Sequence, residues 1–257
     1  MKMKKKKYNI IYSLGRDCSC ADYLKMNNLR LTSGPFDWLT NAGFEERFHL
    51  ILNDFKNFMN IEDFKFLPKD ETMFNDEACD YYENIKTHFY YYHDFPKGVP
   101  LSDSFNGIKE KYLRRIERFY DKINNSQKVL LVWFSHYHNT SDDVVLNLCN
   151  QLCQKFNKSI DFLIIEHEEG LTIPRKKELA SNIIKYNLHT VLLDEKGHCT
   201  TLGDQKLCNQ IFKQYRLKIP FHLMCKRIYF KVLAKIICPF VLNKQKKKEL
   251  KRKWRNI

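Results

Sequence analysis

YNIIYSLGRDCSCADYLKMNNLRLTSGPFDWL, residues 8–39, contains the clearest succession of local structural signals in the chain. The β-branched and aromatic residues at 10–12 predict a short buried strand, because such side chains fit a pleated sheet. Residues 13–15 predict a turn, and Asp17 is placed to cap a helix whose apolar face begins with Ala21 and Leu24. The pattern is therefore a strand, a tight turn and a helix that begins at Cys18.

Cys18 falls in the first turn of this predicted helix. Unpaired backbone amides and the positive end of the helix dipole favour negative charge at such a position. Helix N-termini are among the settings that lower the pKa of a cysteine, and the thiolate is the nucleophilic form. We therefore expect a lowered pKa and a nucleophilic role for Cys18, with nearby amides as donors to an oxyanion.

The rest of the chain alternates between predicted strands and helices. Helices are predicted at 44–58, 105–123, 142–156 and 176–186, strands at 87–96, 129–134, 160–165 and 190–193, and a last helix after Gly203-Asp204. The run at 129–134 is apolar at nearly every position, which is typical of a strand covered on both faces. This alternation predicts the α/β class, with three layers and a mostly parallel sheet that has helices on both faces.

Four motifs resemble the family of papain-like cysteine peptidases. The first is Ser-Leu-Gly-x-x-Cys-x-x-Ala-x-x-Leu from Ser13, which continues into Ser-Gly-Pro-Phe-Asp-Trp at 33–38. The others are His-Asp-Phe-Pro at 93–96, Arg-Arg-Ile-Glu-Arg-Phe at 114–119 and Gly-Asp at 203–204. The resemblance, which covers residues 8–215, implies a cysteine hydrolase in which Cys18 is the nucleophile and His93 is the base.

A third side chain can orient the histidine in a site of this kind. Asp94 follows His93 directly in the chain, and Asp204 lies at the start of the last predicted helix. Asp204 is equally well placed to be an ordinary N-cap of that helix. Both carboxylates are therefore candidates for the third catalytic residue.

Substrate contacts are expected from the turn before Cys18 and from the Gly-Pro turn that follows the helix. The candidates are Ser13, Gly15, Arg16, Asp37 and Trp38. Asp37 lies between two aromatic residues. It either serves the site as a buried carboxylate or accepts backbone amides in its own turn.

The basic charge of the chain is concentrated at its two ends. The formal net charge is +14, of which five lysines at 2–7 supply +5 and residues 244–255 supply +7, so that only +2 remains for residues 8–243. A nearly neutral body argues against a nucleic-acid surface within the fold. We therefore predict a basic segment at 1–7, an α/β domain at 8–218, and a separate C-terminal region at 219–257.

The cysteine content favours a reduced, cytoplasmic protein. The nine cysteines are odd in number and scattered through apolar segments, and no secretory signal is visible. His136 with His138, and Cys149 with Cys153, have spacings that a metal site can use. Because the two cysteines fall on the apolar side of their predicted helix, we expect neither a metal nor another cofactor.

The C-terminal region has an amphipathic pattern. Basic residues at 227, 231 and 235 share one helical face, and Phe221, Met224, Ile228, Val232 and Ile236 occupy the other. A polybasic tail follows. The pattern indicates either attachment to an anionic membrane, at its inner face, or a helix that docks on the body.

Two other functions remain open beside a cysteine hydrolase acting on a peptide, an amide or a glycoconjugate. One is an α/β enzyme of surface polysaccharide metabolism that modifies a sugar or phospho-sugar. In that enzyme, the turn at 13–18 would bind an anion at the helix N-terminus, and Cys18 would be structural. The other is a non-catalytic accessory protein held at a membrane surface by its C-terminus.

Overall fold

The computed structural model describes residues 5–69, 78–137, 140–193, 200 and 202–219, together with eight residues between 221 and 236. The chain divides into two compact units, Met1–Leu217 and Lys218–Ile257. No helix in these described ranges combines the length and the hydrophobicity that a membrane crossing requires.

The first unit is built from short strands and helices that follow one another closely along the chain. Its first half contains β1 (Lys6–Tyr8), β2 (Ile10–Ser13), α1 (Cys18–Met26), β3 (Leu39–Asn41), α2 (Phe44–Leu52), a 3-10 turn (Ile61–Asp63), β4 (Phe64–Phe66), β5 (Cys79–Asn84) and β6 (Phe89–Pro96). Its second half contains α3 (Leu101–Asn125), β7 (Val129–Ser135), α4 (Asp142–Lys155), β8 (Asp161–His167), β9 (Arg175–Ala180), β10 (Ile183–Leu188), α5 (Gln205–Phe212) and β11 (Tyr215–Leu217).

The main sheet has five strands in the order β2-β7-β8-β10-β9. The first four are parallel, and β9 runs antiparallel to β10 at the edge. The parallel strands are almost entirely buried, which accounts for the continuous apolar sequence of β7 and the apolar centre of β8, and β10 also buries Lys185 and Asn187. Their carboxyl ends lie along one edge of the sheet, where the turn that carries Cys18 follows β2.

A second sheet is entirely antiparallel, with the order β3-β6-β5-β4. Leu39 of β3 pairs with Tyr91 of β6, and Tyr82 of β5 pairs with the same tyrosine. The aromatic run of β6 alternates between the core and the outside, with Phe89, Tyr91 and Phe95 buried. A third pairing joins β1 to β11 in parallel.

Different elements cover the two faces of the main sheet. Tyr12 and Trp133 belong to a large core that includes residues of α2, α3, α4 and the antiparallel sheet. Alternate strand residues face the other way: the ring of Phe134 lies 5.2 Å from that of Tyr23 in α1, and Tyr23 stacks on Phe212 of α5 at 5.1 Å. Helix α1 therefore packs on one face, and α3 with the antiparallel sheet packs on the other.

The α/β class is confirmed, but the prediction of one mostly parallel, three-layer sheet is corrected. Residues 176–186 form β9 and the start of β10 and not a helix, and the predicted strand at 190–193 lies beyond β10. Lys, Glu, Leu and Ala at 176–180 favour a helix intrinsically. Pairing overrides that preference, because β10 is held between β8 and β9 and all six of its residues are buried.

Only part of the predicted C-terminal helix can be assessed. The eight described residues between 221 and 236 are helical, and Phe221, Met224, Tyr229, Val232 and Ile236 are exposed. Ile228 and the basic residues at 227, 231 and 235 lie outside the described residues, as does the polybasic tail.

Candidate active site

Cys18 is the first residue of α1, as predicted, and Asp17 caps this helix. The Asp17 carboxylate accepts the Ser19 N–H at 2.9 Å. The backbone of Asp17 is extended, with φ −142°. The Cys18 side chain is half-buried. Burial, together with the negative charges of Asp17 and Asp22, raises the pKa of Cys18 to about 12.

The expectation of a lowered pKa at Cys18 is therefore wrong. The helix N-terminus is present, but desolvation of the thiolate raises the pKa of Cys18 more than the hydrogen bond with the backbone of Cys18 lowers it. The two carboxylates, Asp17 at the cap and Asp22 within α1, act in the same direction. At neutral pH Cys18 is a thiol, and any nucleophilic role requires a group that removes its proton.

The turn before Cys18 uses its own amides internally. Gly15 N–H donates to Ser13 Oγ at 3.3 Å, and Arg16 N–H donates to the Phe134 carbonyl at 3.0 Å. A side chain at Gly15 would bring its Cβ to 2.4 Å from the Cβ of Cys20, so only glycine fits this approach of helix to strand. Ser13 and Gly15 therefore shape the turn. The backbone amides of Gly15 and Arg16 already donate hydrogen bonds within the protein.

Arg47 of α2 holds the same turn from the opposite side. Its buried guanidinium donates to the carbonyl oxygens of Leu14 (3.2 Å), Arg16 (2.5 Å), Leu39 (3.0 Å) and Ala42 (2.9 Å). Burial lowers the pKa of Arg47 to about 9. The sequence does not reveal this role of Arg47, because one arginine in an amphipathic helix carries no signal that it is buried.

A groove of about 620 Å³ opens beside Arg16, and its lining includes Asn41, Glu46, His88 and Ser141. Nε of Arg16 donates to the Asn41 carbonyl at 3.1 Å, and its guanidinium lies 4.8 Å from the Tyr137 ring centre. Burial lowers the pKa of Arg16. Because Arg16 belongs to the turn that leads into α1, the groove adjoins the start of that helix.

Histidines collect at the carboxyl ends of the neighbouring strands. His136 follows β7, is 2% exposed, and has its Nδ1 2.9 Å from Thr190 Oγ1. The Thr190 N–H donates to Nδ1 of His167 at 3.1 Å, and the His167 ring lies 4.9 Å from that of His189. Burial, with His189 as a further cause, lowers the pKa of His167. From the sequence, His136 was a candidate only as a metal ligand.

Contacts connect His136 to the face of the sheet that carries α1. Its ring stands edge-on to Phe134 at 4.8 Å, and Phe134 packs against Tyr23 of α1. A Cβ at Gly203 would lie 2.7 Å from Cε1 of His136, so the 202–204 turn closes over this histidine. His136 thus belongs to the same edge of the sheet as Cys18.

His93, the base that the family resemblance implies, lies in the antiparallel sheet beside Trp38. The His93 ring, in β6, stands edge-on to Trp38 at 6.1 Å. Asp94 forms an ion pair with Lys111 and accepts the Tyr112 hydroxyl at 2.6 Å. His93 and Asp94 therefore lie in the layer packed against one face of the main sheet, and Cys18 begins a helix on the other face. A contact between His93 and Cys18 stays a prediction.

Two further predicted residues have structural contacts. Asp204 accepts the Leu207 N–H at 3.0 Å and caps α5. Asp37 is 1% exposed, accepts the Gly34 N–H at 3.0 Å and pairs with Arg30 at 2.5 Å. Burial raises the pKa of Asp37, and Arg30 opposes this rise. Both carboxylates show the turn and cap contacts that the sequence allowed as alternatives to a catalytic role.

The described residues contain no group of three or more His, Cys, Asp or Glu side chains arranged to hold a metal ion. Cys149 is buried in α4, and Cys153 contacts the Ile160 carbonyl and the Asn182 amide. His138 lies outside the described residues. Glu166, at the end of β8, is also engaged, because it accepts hydrogen bonds from Trp133 and Thr140 and pairs with Lys185.

Comparison with known proteins identifies relatives. Residues 9–170 match the family described as "Putative papain-like cysteine peptidase (DUF1796)". The chain is also 25% identical over 202 residues to "Uncharacterized protein R408" of Acanthamoeba polyphaga mimivirus, an alignment that covers 72% of this chain and 88% of that protein. No solved structure matches the chain. The family match includes Cys18 and His93 and ends before Asp204.

Proposed function

The chain belongs to the family described as putative papain-like cysteine peptidases, as its motifs predicted, and on that premise we propose that it is a thiol hydrolase or acyl transferase whose nucleophile is Cys18. One observation carries the proposal. Cys18 begins a helix directly after β2, at the carboxyl edge of four parallel strands. This edge is where α/β sheets bind their ligands.

The proposed reaction proceeds through a thioester. The Cys18 thiol loses its proton to a histidine ring nitrogen while the sulfur attacks the carbonyl carbon of an amide or ester. The bond from that carbon to nitrogen or oxygen then breaks, and the imidazolium returns the proton to the leaving group. Water, or a second nucleophile, releases the acyl group. The raised pKa of Cys18 disfavours a thiolate that exists before the substrate binds. It supports a mechanism in which a base removes the thiol proton as the sulfur attacks.

We assign the base to His136. Its position at the end of β7, beside the strand that leads to Cys18, supports this choice. Thr190 Oγ1 lies within hydrogen-bond distance of Nδ1, which orients the ring in the way that the third member of a catalytic triad does. His93, which the family resemblance implies, is the competing assignment, with Asp94 or Asp204 as its orienting carboxylate.

The groove beside Arg16 is the proposed substrate site. Its volume of about 620 Å³ suits a peptide segment or a small glycoconjugate. The half-buried guanidinium of Arg16 provides a fixed positive charge there, close to the N-terminus of α4 at Asp142. A substrate whose scissile carbonyl oxygen lies near Arg16 fits this arrangement, whereas the carboxylates of Glu45 and Glu46 in the same lining disfavour an acidic substrate.

A panel of peptide and amide aminocoumarins and nitrophenyl esters tests the function. We expect turnover by the full-length protein and an acyl adduct on Cys18 detected by mass spectrometry. Cys18→Ala should abolish both. Cys153→Ala, which changes a half-buried cysteine on α4, should preserve them. Undiminished turnover in Cys18→Ala, or an adduct formed elsewhere, would refute the thiol mechanism.

A second proposal concerns the C-terminal unit, which we infer to bind an anionic membrane surface. The described residues between 221 and 236 are helical and expose large apolar side chains, including Phe221, which is 75% exposed, and Tyr229, which is 60% exposed. Basic residues at 227, 231 and 235 and the polybasic tail would supply electrostatic attraction.

A further inference from the structure

Three arginines from two parts of the chain meet around the turn at Ser33. Arg30 follows α1, and Arg115 and Arg118 lie three residues apart on α3. Nη2 of Arg30 is 2.5 Å from Asp37 Oδ2 and 2.7 Å from Ser33 Oγ. Nη2 of Arg118 is 3.4 Å from the Ser33 carbonyl oxygen. Arg30, Arg115 and Arg118 together form the arginine cluster.

The carboxylates nearby do not balance the charge of the cluster. Asp37 lies against it, and the positive charges of Arg30 and Arg115 both act on this one buried group. Asp94 is held by its ion pair with Lys111 and by the hydroxyl of a tyrosine on α3. Among the residues described, three guanidinium groups therefore share the one buried carboxylate of Asp37, which leaves an excess of positive charge.

The cluster also has donors without acceptors. Nη1 of Arg115 and Nε of Arg118 are buried, and neither has a hydrogen-bond partner in the part of the chain that the structure describes. The Ser33 hydroxyl accepts from Arg30, the Ser33 carbonyl accepts from Nη2 of Arg118, and Oδ2 of Asp37 accepts the Gly34 N–H and pairs with Arg30. Buried donors of charged groups are costly when unmet, so in native proteins they often mark the place of a bound ion.

Aromatic rings border the cluster. The guanidinium of Arg30 lies 5.4 Å from the Trp38 ring centre, and the His93 ring meets Trp38 edge-on. Arg115 lies 5.3 Å from the ring centre of Tyr112. The three arginines, Trp38 and His93 are all half-buried, so the cluster is reached from solvent.

We propose that the arginine cluster binds a phosphoryl group, as free phosphate or as a phosphate monoester. Phosphate carries up to two negative charges and several acceptor oxygens, arranged in a geometry that guanidinium groups match. It would accept from Arg115 and Arg118 and neutralise the excess positive charge. Trp38 and His93 would flank the organic part of a monoester. This site does not depend on the thiol chemistry proposed for Cys18.

Calorimetric titration of the full-length protein with inorganic phosphate, at an ionic strength kept constant with chloride, tests the proposal. We expect Arg115→Gln and Arg118→Gln each to weaken phosphate binding at least tenfold. Arg114→Gln is the matched control, because Arg114 is adjacent on α3 and exposed. It should change the affinity by less than twofold, and an equal loss in Arg114→Gln and Arg115→Gln would overturn the proposal.

Thermal unfolding separates ligand binding from a structural role. In chloride, Arg115→Gln should unfold at the same temperature as the wild type or higher, because it removes an unmet buried donor. Phosphate should raise the unfolding temperature of the wild type and of Arg114→Gln, and not that of Arg115→Gln. If Arg115→Gln does not fold, Arg115→Lys is used in its place. Lysine keeps the positive charge and lacks the planar set of N–H donors of the guanidinium group. The wild type binding no phosphate would refute the site.

A titration with glucose 6-phosphate distinguishes the two sources of the phosphoryl group. Tighter binding than that of inorganic phosphate assigns the site to an organic phosphate, with Trp38 contacting the organic part. Weaker binding assigns it to the free ion. Because Cys18→Ala leaves the cluster intact, that variant should bind phosphate as the wild type does even if the thiol mechanism fails.

Discussion

Nη2 of Arg47 donates a 2.5 Å hydrogen bond to the carbonyl oxygen of Arg16, and this bond ties α2 to the turn that delivers Cys18. The same nitrogen also donates to Leu39 at the start of β3. One side chain thus joins the main sheet, the antiparallel sheet and the candidate nucleophile. The position of Cys18 depends on an arginine that is 29 residues away in the chain.

Arg47→Met should therefore destabilise the protein strongly. The substitution keeps an apolar stem of similar length and leaves four buried carbonyl oxygens without their donor. We expect a loss of about 3–5 kcal/mol in the free energy of unfolding, as when one partner of a buried charged network is removed. Urea denaturation measures it. Arg114→Met, at an exposed site, should stay within about 0.5 kcal/mol of the wild type, and equal effects would contradict the role of Arg47.

Alkylation of Cys18 should be slow at neutral pH. With a pKa of about 12, roughly one thiol in ten thousand is ionised at pH 8. Free N-acetylcysteine, with an ordinary thiol, should react with iodoacetamide far faster, and the Cys18 rate should still be rising above pH 10. Asp22→Asn should accelerate the reaction, because it removes one carboxylate that opposes ionisation. A titration midpoint below about 8.5 would contradict this electrostatic account.

Two histidine variants decide which residue accepts the proton of Cys18. His136→Gln should lower Cys18-dependent turnover by about 10²-fold or more, and His93→Gln should leave most of it. Thr190→Val should reduce kcat and shift the pH profile, because the ring of His136 loses its orienting hydroxyl. A larger loss of turnover in His93→Gln than in His136→Gln would establish His93 as the base. His93 would then have to reach Cys18 around the edge of the main sheet.

Substitutions at Asp204 separate capping from catalysis. Asp204→Ala should cost about 1 kcal/mol in stability, the usual value for a lost N-cap. Asp204→Ser should restore that stability, because a serine hydroxyl also accepts from the N3 amide. Turnover measured at a temperature where all variants are folded should be alike. A turnover loss that serine does not rescue would point to an orienting carboxylate.

Removal of residues 219–257 should abolish binding to anionic liposomes in cosedimentation. A chain that ends at Leu242 should bind less tightly than the full chain and with little salt dependence, because it keeps the apolar helix face and loses the polybasic tail. Each basic residue near an anionic surface contributes about 1 kcal/mol at low salt. Equal binding to neutral and anionic vesicles would argue against the electrostatic part, and no sedimentation of the full chain would exclude membrane binding.

The local patterns of the sequence were sufficient for much of the fold. The strand at 10–12, the Asp17 cap and the helix that begins at Cys18 were predicted correctly, since capping and short periodic runs depend on neighbouring residues. The buried strands β7 and β8 were recognisable for a similar reason, because a strand covered on both faces is apolar throughout. The family resemblance rested on the same contiguous motifs and was confirmed.

Pairing partners and burial depended on the tertiary structure. The local sequence of β9 predicted a helix. These residues form a strand because they pair antiparallel with the free edge of β10. The sign of the pKa shift at Cys18 followed from desolvation and two carboxylates, which together outweigh the backbone hydrogen bond that lowers the pKa. The sequence alone determined that a cysteine begins a helix after a buried strand. Which histidine shares its edge of the sheet, and how far the thiol is buried, were decided only by long-range packing, because both depend on residues distant in the chain.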